Sequence, residues 1–270
     1  MQLRDNVFVV TGGGNGIGRE VVLGLLACGA SVAAVDVSEH GLSETVRRAA
    51  HAVGGQVSTH TVDLTDREAV ATLPEQVIAS HGRVDGVVNV AGIIHRFAPV
   101  HELGYDEIEK VMAVNFWGVV HMVKAFLPLL LERRRASLVN VSSMGALGAI
   151  PGQTVYGAGK AAVKLLTEGL YAELRGGPVA VTAVYPGAIS TAIADNSGAG
   201  IPGAGENDAP MKLTSPGEAA RQIIAGMAKG AYRVRIGKDA HVLDVLWRAF
   251  PRRATELVAS RLKSLLARSE

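Results

Sequence analysis

The chain has a single cysteine, Cys28, so it cannot close an internal disulfide. Its eight histidines are scattered, none pairs as H-x-x-x-H, and no Cys/His cluster has zinc-ligand spacing, so no metal site is expected. Aromatic residues are only 4%, which argues against an aromatic-rich β-sandwich. The net charge is +2, so no strong field calls for nucleic acid. The apolar stretch 126–131 falls far short of the ~20 residues that cross a bilayer. The N-terminus, MQLRDNVFVVTGGG, carries Asp5 and reaches glycines directly after a short apolar run. That is the pattern of a buried strand rather than a signal peptide. These absences describe a soluble, cytoplasmic protein in a reducing compartment.

What is present is apolar and glycine-rich: 48% hydrophobic residues, 19% charged and 32 glycines among 270 residues. Such a chain has material for a large core and is not disordered. Short runs rich in Val and Ala recur at 7–10, 31–35, 56–61, 84–89, 137–141, 179–185 and 233–236. Each has the length and continuous apolarity of a strand buried on both faces. Helix-length stretches lie between them, at 17–28, 39–53, 66–82, 105–131, 153–174 and 216–228. Several end on glycine, as at Gly29, Gly82 and Gly230. The alternation predicts an α/β fold, a Rossmann-type doubly wound sheet of about seven parallel strands with helices on both faces.

No linker or repeat divides the chain, so residues 1–238 read as one domain with 239–270 as its C-terminal helical extension. The stretch 192–215 breaks the alternation with Gly198, Gly200, Pro202, Gly203, Gly205 and Pro210. Long loops of this kind are usually functional, and this one reads as a lid over a substrate. The extension divides at Pro251, and its second half aligns Leu257, Val258, Leu262, Leu265 and Leu266 between Arg261, Lys263 and Arg268. Residues 241–270 hold six Lys/Arg against three Asp/Glu. Together with Trp247 and Phe250, this face is expected to pack on its own or a partner subunit. A membrane surface is the alternative.

Five local patterns carry chemistry. Thr11-Gly12-Gly13-Gly14-Asn15-Gly16-Ile17-Gly18 follows the first strand and opens the first helix. Glycines there let backbone N–H groups approach a pyrophosphate at a helix N-terminus. The spacing is G-x-x-x-G-x-G, not G-x-G-x-x-G, and a tight turn without a ligand would use the same residues. No Gly-Lys-Ser/Thr follows, which excludes a P-loop. Asp36 ends the second strand, 18 residues beyond Gly18. An acid there accepts ribose hydroxyls and repels a 2′-phosphate, which favours NAD over NADP. Tyr156 and Lys160 share a helix face at i and i+4, where an ammonium can lower a phenol's pKa for proton transfer. A solvent-facing helix would carry the same pair without consequence. Ser142-Ser143 closes a strand, with Ser143 13 residues before Tyr156; a ligand or a helix cap would each explain it. Asn115 interrupts a helical stretch, where a buried amide that holds water or bends the helix would account for it.

Taken together over roughly residues 5–237, these motifs resemble the short-chain dehydrogenase/reductase family. The carrying residues are the TGGGNGIG turn, Asp36, Asp63-Leu64, Asn89-Val90-Ala91-Gly92, Asn115, Ser143, Tyr156-x-x-x-Lys160, and Pro186-Gly187 followed by Thr191. The resemblance implies that Tyr156 is the general acid/base and that Lys160 lowers its pKa and binds the nicotinamide ribose. Ser143 would hold the substrate oxygen, and Asn115 a water linking Lys160 to solvent. It implies cofactor contacts at Gly12, Asn15, Gly16, Ile17, Gly18, Asp36, Ala91, Gly92, Pro186 and Gly187. Asp63, Leu64 and Asn89 would lie on the adenine side, Ile189 and Thr191 at the nicotinamide carboxamide. Val90 departs from the family's frequent second asparagine.

The substrate pocket is expected beside Ser143 and Tyr156, with His95, Met144, Gln153 and Tyr185 as candidate contacts. Most neighbouring residues are apolar or small, which favours a hydrophobic secondary alcohol or ketone. An NADPH-type reductase of 3-oxoacyl or similar carbonyl substrates is the rival enzyme, and a non-catalytic nucleotide-binding regulator the rival of another class. The resemblance also implies a homodimer or homotetramer.

Overall fold

The computed structural model describes residues 2–50, 55–191, 193–197, 199 and 213–266. Its seven strands are β1 (Val7–Thr11), β2 (Ser31–Asp36), β3 (Val57–Thr61), β4 (Gly86–Asn89), β5 (Ala136–Val141), β6 (Val179–Pro186) and β7 (Arg233–Ile236). They form one parallel sheet in the order β3-β2-β1-β4-β5-β6-β7. The helices are α1 (Gly16–Ala27), α2 (Glu39–Ala49), α3 (Arg67–His81), α4 (Tyr105–Met112), α5 (Gly118–Leu131), α6 (Thr154–Glu173), α7 (Ile193–Asn196), α8 (Pro216–Lys229), α9 (Lys238–Ala249) and α10 (Pro251–Leu266). The doubly wound sheet read from the sequence is therefore the fold. Of the predicted lid, 192–215, residues 192, 198 and 200–212 fall outside the described residues, as do Val53 at the predicted end of α2 and Arg268. The side chains of Leu262, Lys263, Leu265 and Leu266 also fall outside.

The strands read as continuous apolar runs because both faces of the sheet are covered. Val7 and Val9 of β1 pack on one side with Leu73 of α3, Phe126 of α5 and Val163 of α6. Phe8 and Val10 pack on the other side with Leu25 of α1, Leu42 of α2 and Ile223 of α8. The helix ends follow local chemistry. The Asp66 side chain accepts from the Glu68 and Ala69 N–H groups to start α3. Gly82 stops α3 at a φ of 75°, in the left-handed region that favours glycine.

The stretch 105–131 is not one uniform helix. A π-turn, Ala113–Trp117, separates α4 from α5, with Asn115 fully buried at its centre. By length and composition this run could cross a membrane, but Val119, Met122, Phe126 and Leu130 are buried against the sheet, as in a core helix.

The chain winds from β1 outward to β3, then returns to β4 on the other side of β1. This switch point opens a crevice beyond the carboxyl ends of β1 and β4, where doubly wound sheets take their ligands. Trp247 of the extension turns inward and is 6% exposed, whereas Phe250 is 54% exposed. The two therefore do not share one surface face, and Trp247 is not available to a membrane.

Candidate active site

The crevice is a cleft of about 510 Å³. Its walls include Gly12, Asn15, Gly16, Ile17, Gly18, Asp36, Asp63, Leu64, Ala91, Gly92 and Thr191, each expected at a cofactor. The glycines are there because the backbone is crowded. A β-carbon on Gly18 would lie 2.0 Å from the Gly12 carbonyl oxygen, so any side chain would push α1 off the turn. Thr11 ties the turn to the next loop, its hydroxyl accepting from the N–H groups of Val90 (3.0 Å) and Ala91 (3.2 Å). Asp36 faces the same turn, its carboxylate accepting from Gly14 N–H and Ser38 N–H, both at 2.9 Å.

None of the four predicted catalytic residues lines this cleft, but Asn115 and Lys160 stand directly behind Gly92, which does. Asn115 clamps the loop after β4: its Nδ2 donates to Ile93 O at 2.7 Å and its Oδ1 accepts from Ile93 N–H at 3.0 Å. The π-turn gives this amide its place, and Gly92 leaves room for it. Lys160 is buried and donates to Val141 O at 3.1 Å. Burial lowers its pKa to about 8. The Ser143 hydroxyl accepts from Gly145 N–H at 3.1 Å and stands beside the Tyr156 phenol. Burial pushes that phenol up, and its hydrogen bond with Ser143 opposes the rise without cancelling it. The Lys160 ammonium is not among the groups that shift the phenol in this structure. Tyr156 is a neutral phenol at pH 7, while Lys160 is still mostly protonated.

This combination can bind a dinucleotide across the switch point and move a proton at the catalytic wall. A family model described as short chain dehydrogenase matches residues 6–201. The chain belongs to the short-chain dehydrogenase/reductase family. It is 40% identical over 264 residues to SadH of Mycobacterium tuberculosis, covering 94% of each chain. It is also similar to two solved structures. A short-chain dehydrogenase/reductase from Burkholderia phymatum, solved with NAD, has a TM-score of 0.83 at 26% identity, over 93% of this chain and 96% of that one. A short-chain dehydrogenase from Burkholderia cenocepacia, solved with NADP, has a TM-score of 0.79 at 29% identity, over 96% and 99%. Relatives thus bind either dinucleotide, and the chain is an oxidoreductase of this family.

Not every residue expected at this dehydrogenase/reductase site is at the cleft. Asn89 is buried and donates to Asn140 Oδ1 at 2.8 Å; Asn140 in turn donates to Thr167 Oγ1 at 3.0 Å. It pins β4 to β5 and α6 beneath the site. Pro186 ends β6, and Ile189 pairs with Thr214 and packs on the core, so Thr191 alone of the 186–191 segment lines the cleft.

Tyr185 is the clearest correction. It is fully buried, with its ring 5.5 Å from the Arg233 guanidinium carbon, and it does not line the cleft. Among the other substrate candidates, Met144 opens the turn after Ser143, while Gln153 Nε2 donates to His95 O at 2.8 Å. His95 Nε2 and Gln153 Oε1 have no partner among the described residues. Ile94, Phe97, Ile193 and Ala194 cluster against Tyr156, which makes its surroundings apolar.

Two cations escaped the sequence reading. Arg19 donates to Thr45 Oγ1 at 3.0 Å and to the carbonyls of Gly14 and Gly41. Its position one residue past Gly18 was the available signal. Lys110 of α4 lines the cleft with no sequence signal beyond its place five residues before Asn115.

Proposed function

We propose that the chain is an NAD-dependent oxidoreductase that interconverts a hydrophobic secondary alcohol and its ketone. Two close pairings carry this reading: Asn115 Oδ1 and Lys160 Nζ both lie within 3 Å of the β-carbon position of Gly92, which lines a dinucleotide-sized cleft, and the Tyr156 phenol is hydrogen-bonded with Ser143. A bound nicotinamide supplies or accepts the hydride. The glycine turn and the N-terminus of α1 hold its pyrophosphate. The Ser143 hydroxyl orients the substrate oxygen. Tyr156, kept protonated by burial, donates to that oxygen as it becomes an alkoxide; for alcohol oxidation it must first lose its proton. The Lys160 ammonium favours negative charge on the reacting oxygens. Asn115 holds the Ile93 backbone and keeps one N–H and one lone pair for a water.

Asp36 selects NAD, because its carboxylate sits where a 2′-phosphate would bring like charge. Arg19 beside it supports a second reading, an NADPH-type reductase, in which the guanidinium leaves the Gly14 and Gly41 carbonyls for that phosphate. Apolar Ile94, Phe97 and Ile193 around Tyr156 favour a hydrophobic substrate over a sugar. The exposed Trp117 and Leu165 fit burial in a homodimer or homotetramer.

The test is a panel of secondary alcohols, from short aliphatic to polycyclic, assayed with NAD and with NADP. Tyr156→Phe is expected to lose turnover by at least about 100-fold while keeping NADH affinity within about twofold. Turnover that survives this substitution overturns the assignment.

A further inference from the structure

We propose that α9 is a strut that holds the two loops flanking the catalytic wall at a set separation, with Trp247 as the positioning residue at its end. This rests on the dehydrogenase reading above. The helix lies outside residues 6–201, the segment that the family model matches.

One end of α9 is fastened to the loop after β6. Asp239 Oδ2 accepts from Ala188 N–H at 2.7 Å, and its carboxylate fills the space beside Gly187, 2.3 Å from where a β-carbon would stand. That loop runs on to Thr191 in the cleft. The other end reaches the loop between β5 and α6. The Trp247 indole lies flat against Gly148, and a β-carbon there would sit 1.8 Å from its Cε2. That loop begins at Ser143 and presses on α6, with Gly145 O 3.1 Å from the β-carbon position of Gly157. Asp239 and Trp247 are eight residues apart, about 12 Å along a helix. Between them Asp244, 4% exposed, accepts from Arg235 of β7 at 2.9 Å and from Arg248 at 2.7 Å, which fixes the roll of the helix. The strut thus joins Ser143's loop to Thr191's loop through rigid parts. Without the indole, the Ser143 turn loses its backing and its alignment with Tyr156.

The experiment uses the full chain. Trp247→Ala is expected to lower kcat at least about tenfold with NADH affinity within about twofold, and Trp247→Phe to restore most of it, since a ring still covers Gly148. Gly148→Ala, which displaces the indole from the opposite side, is expected to lower kcat in the same way. A lowered melting temperature with unchanged kcat in these variants reduces Trp247 to a packing residue and overturns the proposal. A second readout needs no turnover. The chain has two tryptophans, so Trp117→Phe leaves Trp247 as sole emitter. Adding Asp239→Ala at the far end of the strut is expected to raise acrylamide quenching of that emission at least about twofold. Unchanged quenching means that the two ends are not coupled. Turnover that survives Tyr156→Phe would sink the catalytic reading, whereas the quenching result speaks to the strut alone.

Discussion

Gly92 and Lys160 approach so closely that a side chain at position 92 can enter only by displacing a neighbour. A β-carbon on Gly92 would stand 2.9 Å from Lys160 Nζ and 2.7 Å from Asn115 Oδ1. Both atoms end side chains rather than backbone, so a methyl group can be admitted. Admitting it breaks the bond of Lys160 to Val141 O or of Asn115 to Ile93 N–H. Gly92→Ala is therefore expected to fold, to lose about 1–3 kcal/mol of stability, and to lose at least about tenfold in kcat. Urea unfolding beside steady-state kinetics checks this; unchanged kcat would show that the two side chains are not positioned through Gly92.

Asn115 makes the same wall testable from its other side. Asn115→Leu keeps the volume and removes both bonds to Ile93. The Ile93 N–H and C=O are then left without partners in the part-buried loop, and the expected loss is about 2–4 kcal/mol. Hydrogen exchange at the Ile93 amide should speed up with the change in stability. An amide that exchanges as slowly as in the parent chain would mean that another group holds the loop.

The sheet was legible because burial on both faces leaves an unambiguous mark, a short apolar run such as Val7–Val10 between helix-length stretches. The proposed catalytic residues were legible as motifs with spacing. What escaped depends on direction. In a strand buried on both faces, nothing in the pattern says which way Tyr185 points, and it points to Arg233. Asn89 stands before Ala-Gly, as the resemblance asks of a cofactor contact; its Nδ2 is taken by Asn140, 51 residues away, and its Oδ1 has no partner among the described residues. The π-turn around Asn115 shifts the helical register by one residue, which periodicity does not resolve over so short a span. Trp247 was expected to pack on its own or a partner subunit; it packs on its own, against Gly148, a seat with no side chain to betray it.

Asp36 separates charge from fold in the choice of cofactor. Asp36→Asn keeps an oxygen that can accept from Gly14 or Ser38 N–H but removes the negative charge. The ratio of kcat/KM with NADP to that with NAD is expected to rise at least about tenfold, mostly through better use of NADP. Parallel assays with both dinucleotides measure it. A parent chain that already prefers NADP would point to Arg19 as the selector, and Arg19→Ala would then be the variant that loses it.

The burial of Lys160 has a signature in stability against pH. Its ammonium titrates at about 8 in the folded chain, against 10.5 for an ordinary lysine. Between those values the unfolded chain binds more protons than the folded one, so this group makes stability rise with pH. Below pH 8 both forms are protonated, and the folded chain carries the full cost of a desolvated charge. Above 10.5 both are neutral and that cost is gone. The difference amounts to roughly 3 kcal/mol. Lys160→Met removes the titration, so the variant's stability advantage over the parent should shrink by roughly that amount from pH 7 to pH 10.5. Tyr156 shifts the other way, its raised phenol pKa making stability fall above pH 10, but it is present in both chains and largely cancels in the difference. Urea midpoints at intervals across this range give the curve. A flat difference would mean that Lys160 keeps an ordinary pKa and that the site is wetter than its burial implies.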